Sequence, residues 1–318
     1  MTLLLFALGR LLSAIPVLIG VTIVVFLSVQ LVPGDIALSI LGRMATQEQL
    51  AALREEMGLN QPVAVQYIRW FGALLQGDIG TSLAQQLPVA TILLPKIGNS
   101  LILMAGSLVM VLVTGLLLAG VSAPRFRSLT DRAVVALTLI LASLPVFWLG
   151  IVLLYFLGFK WKLFPISGMY NVVRPGGLSD LLHHLILPAA VTAASSIAIV
   201  ARVTRSRMLD VLAQPYILAA RARGLRRRQI VLRHAIRNTL PTFASIGGLQ
   251  IGGLFGGVVF TEIIFNWPGV GLQLYDAILA RDIPMIQGCV LVVAAVFVLG
   301  NLISDIAVFA LDPRKDQA

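Results

Sequence analysis

Cysteine, histidine and charge are all scarce in this chain, and each scarcity removes a class of function. A single cysteine, Cys289, among 318 residues permits no internal disulfide, so folding asks for no oxidising compartment. Only three histidines occur. His183 and His184 are adjacent, diverge on a helix and have no third ligand nearby, so a metal centre is not expected. Charged residues make up 12% of the chain against 58% hydrophobic ones, far from the roughly 25% charge of a soluble globular protein. A GxxxxGK[ST] phosphate loop is missing, so the chain has no means of holding ATP in that way. An intramembrane enzyme would need a nucleophile with its base, or metal ligands, at membrane depth. Cys289 and scattered serines without a paired carboxylate or histidine do not supply them, so no catalytic residue and no cofactor of its own is expected.

What is abundant is long apolar sequence. A bilayer core of about 30 Å asks for roughly 20 apolar residues per helical crossing. Six charge-free stretches meet that length: Leu11 to Val32, Ser100 to Val121, Ala133 to Phe159, Leu185 to Ala201, Thr239 to Thr261 and Ile283 to Ser304. The first runs into Pro33-Gly34-Asp35 without a small-residue cleavage site and is expected to stay as a span. The fourth is the weakest, short and carrying Pro188, and Pro145 should kink or break the third. The chain thus divides into an N-terminus and first span (1–32), an outer helical segment (33–98) and a five-helix core (99–318) with an inner loop at about 204–240. The fold class is an all-α polytopic membrane protein with six transmembrane helices.

Arginine and lysine orient it, because positively charged loops stay in the cytoplasm. With the N-terminus inside, the inner segments hold Arg10, Arg125, Arg127, Arg132, the ten arginines from Arg202 to Arg237, Arg314 and Lys315. The outer ones hold only Arg43, Arg54, Arg69, Lys96, Lys160, Lys162, Arg174 and Arg281. Both termini are then cytoplasmic. The +10 net charge is mostly one inner loop, which excludes a soluble nucleic-acid binder. In the outer segment, Thr46 and Gln49 stand at capping-box spacing ahead of a helix with Leu50, Leu53 and Met57 on one face, ending at Gly58. Val63, Tyr67, Trp70, Phe71, Leu74 and Leu75 make a second stripe that stops at Gly77. A small outer cap follows, either covering helix ends or touching a partner that delivers substrate.

The inner loop "ILAARARGLRRRQIVLRHAIRN" (217–238) carries seven arginines, each costing about 2.5 to 3.5 kcal/mol at the bilayer centre, so it cannot span. Its small and apolar residues return at near-helical spacing, giving two short helices joined near Gly224-Leu225. Ala219, Ala220 and Ala222 keep the first surface low, and Gly224 either ends the helix or admits another backbone. Contact with anionic lipid explains the charge. A shallow element received by a partner's groove also explains the alanines and the glycine. His234 is expected on that docking surface.

Elsewhere, Gly247, Gly248, Gly252, Gly253, Gly256 and Gly257 in the fifth span give small-xxx-small spacing, with Gly248, Gly252 and Gly256 forming a helix-packing face or part of a translocation path. Glu262 is flanked by apolar sequence, a functional candidate by default or else an acceptor for the turn "NWPG". Asp305 reads as a helix-end residue, and Trp148, Trp161 and Trp267 as interfacial anchors.

"YILAARARGL" followed by "RHAIRNTLP" resembles the cytoplasmic signature of permeases of ATP-binding-cassette importers, in the form of the dipeptide, oligopeptide and nickel branch. The resemblance covers nearly the whole chain, through "LVPGD" (31–35), "MGLNQP" (57–62), "GDIGTSL" (77–83), "LPVFWLG" (144–150), "FPISG" (164–168), "EIIFNWPGVG" (262–271), "RDIPMIQG" (281–288) and "LDPR" (311–314). Leu218 stands where the general signature has glutamate. The resemblance implies a type I ABC importer permease fold in the prokaryotic cytoplasmic (inner) membrane, paired with a second homologous permease, two ATPase subunits and an extracytoplasmic solute-binding protein. ATP and Mg would sit on the ATPase subunits, coupled through Ala219, Ala220, Arg221, Ala222, Arg223, Gly224 and Leu225. The implied solutes are di- or oligopeptides, with nickel chelates, glutathione or another small solute as alternatives. A gradient-driven secondary transporter should show charges within its spans, and these spans have none.

Overall fold

The computed structural model describes residues 3–30, 45–56, 58, 60–171, 173 and 176–311. The expectations resting on Pro33, Gly34, Asp35, Arg43, Met57, Arg174, Arg314, Lys315 and the side chain of Leu53 lie outside them. Among the described residues there is no strand, and helices α1 (Leu3–Gln30), α2 (Gln47–Glu56), α3 (Val63–Leu75), α4 (Val89–Ser122), α5 (Leu129–Ser143), α6 (Val146–Leu153), α7 (Gly177–Leu212), α8 (Pro215–Ala222), α9 (Arg227–Gln229), α10 (Arg237–Ile264), α11 (Val270–Ala280) and α12 (Ile283–Leu311) follow in order.

Among the described residues, five helices are long and apolar enough to cross a membrane: α1, α4, α7, the continuous run from α9 through α10, and α12. The third expected span is two pieces. α5 ends at Ser143, α6 begins after Pro145, and the pair bends by 109°, so it supplies a sixth crossing only when both halves are counted together. Pro145 has no N–H to continue α5 and serves instead as the cap of α6, which runs on as a wide helical turn to Lys160.

The stretch that looked weakest becomes the centre. α7 is 36 residues long and packs against α4, α5, α6 and α10, and it is the most buried span. Its Ala, Ser and Thr residues lower its hydropathy because helices rather than lipid surround it, and small side chains let backbones approach. Gly106 of α4 faces Leu185, and Gly115 faces Val200 so closely that an added Cβ would stand 2.8 Å from each contact. Thr192 donates to Thr261 of α10 at 2.8 Å, an interhelical bond worth about 0.6 kcal/mol in membrane proteins.

α1 lies against α12, with Arg10 of α1 paired to Asp305 of α12 at 3.3 Å. The capping box forms: Thr46 N donates to Gln49 Oε1 at 3.0 Å, and Gln49 N donates to Thr46 Oγ1 at 3.3 Å. α3 rests on α1, where Tyr67 and Thr22 share a 2.8 Å hydrogen bond and Phe26 meets the rings of Tyr67 and Trp70. α4 starts at Val89 and crosses the expected 98/99 division without a break.

Candidate functional site

At one end of the bundle the chain builds a compact basic platform. Pro215 opens α8, where its fixed φ suits the first helical position and its missing N–H costs nothing. Closure of α8 is a Schellman motif: Gly224 N donates to Arg221 O at 2.9 Å and Leu225 N to Ala220 O at 3.2 Å. This needs the left-handed φ of +80° at Gly224, while a Cβ there would meet nothing within 4 Å. Gly224 therefore ends the helix, and no backbone of this chain comes close to it.

Ile217 and Ala220 turn inward against Ile230, with Leu212 and Leu225 around them. The expectation that Ala220 forms part of the low outer surface is thereby corrected: i and i+3 positions share a face, and Ala220 sits three residues after the buried Ile217. The outer face is Leu218, 66% exposed, with Ala219, Arg221, Ala222 and Arg223. After Gly224, Arg226 N donates to Gln229 Oε1 at 3.0 Å, and α9 leads through a wide turn (Ile230–Ile236) into α10. Asn238 Nδ2 donates to Tyr216 Oη at 3.1 Å and to His234 O at 2.8 Å, tying α8 to the start of α10. His234 is half-buried beside Tyr216, so its ring braces the loop from within.

Beneath this platform lies a contact that the sequence did not disclose. Arg205, near the end of α7, donates to Asp131 at the start of α5 through Nε (2.7 Å) and Nη2 (2.8 Å), a bidentate fork. Asp131 also accepts from Arg127 N at 2.9 Å, and Ser128 caps the helix by accepting from Asp131 N at 3.2 Å. The available signal was "SLTD", the Ser-x-x-Asp spacing of a capping box. Ala123, Met208, Val211 and Ala235 close the same corner with apolar packing.

At the opposite end two acidic side chains lock the helix ends. Glu262, fully buried, accepts from Ser100 Oγ at 2.5 Å, Gly271 N at 2.6 Å and Leu272 N at 3.3 Å. It reaches past the turn to the first amides of α11, where the helix dipole favours an acceptor. Gly269 and Gly271 leave room for it, since a Cβ at either would collide with the carboxylate. Trp267 is 0% exposed and donates through Nε1 to Asn99 O at 2.9 Å, so it is a core residue and not an interfacial anchor; Trp148 and Trp161 are exposed. Asp282 accepts from Ser82 Oγ, Leu83 N (3.1 Å) and Ala84 N (3.1 Å), and from Met285 N (3.2 Å). It thereby joins "GDIGTSL" to "RDIPMIQG", which an Asp directly before an Ile-Pro helix start could have signalled as an N-cap. His183 Nε2 lies 3.1 Å from Leu163 O, and His184 Nδ1 lies 2.9 Å from Asp180 O and 3.1 Å from its carboxylate.

The six glycines of α10 do not all share one face. Gly247 faces Leu112 of α4, Gly257 faces Thr192 of α7, and Gly252 abuts Asn301 of α12. Gly248 is half-buried, and Gly252, Gly253 and Gly256 line one apolar groove of about 900 Å³ between α1, α10 and α12, so Gly252 and Gly256 share a face.

A bundle of long apolar helices with a braced basic platform at one end is a polytopic membrane protein. A family model for the binding-protein-dependent transport system inner membrane component matches residues 112–317, and one for the N-terminal part of such membrane components matches residues 3–102. The chain belongs to this family and is a permease subunit of an ABC importer. It is 37% identical over 306 residues to the oligopeptide transport system permease protein AppB of Bacillus subtilis, covering 96% of this chain and 97% of the other. With the dipeptide transport system permease protein DppB of Escherichia coli K12 the identity is 34% over 331 residues, at 97% and 98% coverage. The DppB of Alkalihalophilus pseudofirmus is 36% identical over 327 residues, at the same coverage.

Proposed function

We propose that the chain carries di- or oligopeptides across the cytoplasmic membrane and is driven by ATPase subunits that receive the α8 platform. The substrate class is supported by the names of the relatives, which are dipeptide and oligopeptide transport permeases. The observation that carries the coupling role is the outer face of α8. Leu218, Ala219, Ala222 and Arg223 stand exposed on a short helix pinned from within by Ile217, Ala220 and Asn238. Such an element can transmit a push without bending. The working assembly is this chain with a second permease, two ATPase subunits holding ATP and Mg, and an extracytoplasmic binding protein, with both termini of this chain in the cytoplasm. Nucleotide-driven closure of the ATPases would rock the two permeases and alternate access.

The test is Ala222→Trp, which enlarges the exposed face and leaves the buried one untouched. Membrane insertion should persist while peptide-stimulated ATP hydrolysis by the purified complex falls on the order of tenfold, as for an interface hot spot. Hydrolysis and peptide uptake at the native rate would remove α8 from the coupling path. Purification in mild detergent should recover a second permease and ATPase subunits; recovery of the chain alone, with uptake driven by an ion gradient, would overturn the importer assembly.

A further inference from the structure

Between the α8–α9 platform and the turn after α4 lie two cavities of about 470 Å³ each, sharing Pro124, Arg227 and Val231 as walls. Arg125, Arg221 and Arg228 add three more guanidinium groups, while Gly120 and Leu232 give the second cavity an apolar side. None of these four arginines pairs with a carboxylate among the described residues, in contrast to Arg10 and Arg205. Four exposed cations without a carboxylate partner make the cleft electropositive and attractive to an anion, with Arg125 also donating to Val121 O at 3.0 Å. The cleft sits where the apolar run of α4 gives way to the first arginine after it, and a Cβ on Gly120 would meet nothing within 4 Å. Leu232, which lines it, is 53% exposed.

A site basic on one wall and apolar on the other, at the end of a membrane span, matches the boundary between a lipid's headgroup and its chains. We propose that this cleft binds the phosphate of an anionic glycerophospholipid, held by Arg125, Arg221, Arg227 and Arg228 with the chains leaving past Gly120 and Leu232. The bound lipid would bridge the α4–α5 turn and the α8–α9 platform. Ala219, Ala222 and Arg223, on the outer face of α8, do not line the cleft; Arg221 belongs to both, so the cleft borders the face assigned to the ATPase. Lipid binding itself requires only insertion in the membrane and stands apart from the coupling assignment.

The experiment is native mass spectrometry and equilibrium binding on the full-length chain, with dioleoyl-phosphatidylglycerol, dioleoyl-phosphatidylcholine and inorganic phosphate as separate probes. The phosphatidylglycerol should remain bound, and the other two should not. Arg125→Gln, Arg227→Gln and Arg228→Gln combined should weaken its binding about a hundredfold, from the usual contribution of each arginine near a lipid surface. Gly120→Leu, which fills the cleft and changes no charge, should weaken it as well. Arg132→Gln with Arg207→Gln, two exposed arginines outside the cleft, should leave it unchanged. Unaltered binding in Gly120→Leu, or equal losses in both arginine sets, would mean a diffuse charge effect and overturn the site. Competition by inorganic phosphate alone would make the ligand a soluble anion, and displacement of lipid on assembly with the ATPase subunits would assign the cleft to that interface; either result overturns the lipid reading.

Discussion

Gly224 shows how one backbone angle can carry a motif. Its φ of +80° closes the Schellman motif while the space around it is open, so conformation and not size should govern substitution. Gly224→Asn, which tolerates the left-handed region, should keep α8 intact. Gly224→Val should cost about 1 to 2 kcal/mol locally and raise hydrogen exchange across residues 218–225. Glu262 is the counterpart at the other end. Glu262→Ala leaves the Ser100 hydroxyl and the Gly271 and Leu272 amides unmet in a buried setting, and should lower stability by about 2 to 4 kcal/mol in detergent unfolding. Glu262→Gln, which still offers an acceptor oxygen, should fall between that variant and the native chain. The glycine was legible in the sequence as a helix stop. The partner Ser100 was not, because 162 residues separate it from Glu262 and no local spacing signals the contact.

At the scale of elements, the crossing of α4 and α7 rests on glycines placed against branched side chains. Gly115→Leu should separate the helices, because its Cβ alone would approach Val200 Cγ1 to 2.8 Å, and the midpoint of thermal unfolding should drop. Gly120→Leu lies on the same helix with open space beside it and should leave that midpoint unchanged. The Asp131–Arg205 fork joins α5 to α7 under the platform. A double-mutant cycle on Asp131→Asn and Arg205→Gln should return a coupling of about 2 kcal/mol, the scale of charge-assisted hydrogen bonds, with Asp131 the more buried partner. Helix existence was readable from apolar run length, and the ends of α2 and α8 from capping residues. The break between α5 and α6 was foreseeable at Pro145, but its 109° angle depends on the packing of α6 against α7 and α10.

For the molecule as a whole, the arginine asymmetry predicts an inside and an outside that labelling can check. Cys289 is 0% exposed and should not react, so single cysteines report cleanly. A membrane-impermeant maleimide should label Leu87→Cys on intact cells and Leu218→Cys only after the membrane is opened. The reverse pattern would invert the topology and place the platform away from any cytoplasmic ATPase.

The amino-acid sequence by itself determined the helical membrane class, the six apolar stretches with a break at Pro145 in the third, and the existence of one basic loop. These follow from hydropathy, charge and local capping, which act over a turn or a span. Only the tertiary structure decided that the weakest apolar stretch is the central helix α7, that Trp267 is core, that Ala220 faces inward, and that the glycines of α10 serve three different neighbours. Each of these depends on which helix lies alongside, and in a membrane apolarity alone does not say whether the neighbour is lipid or protein.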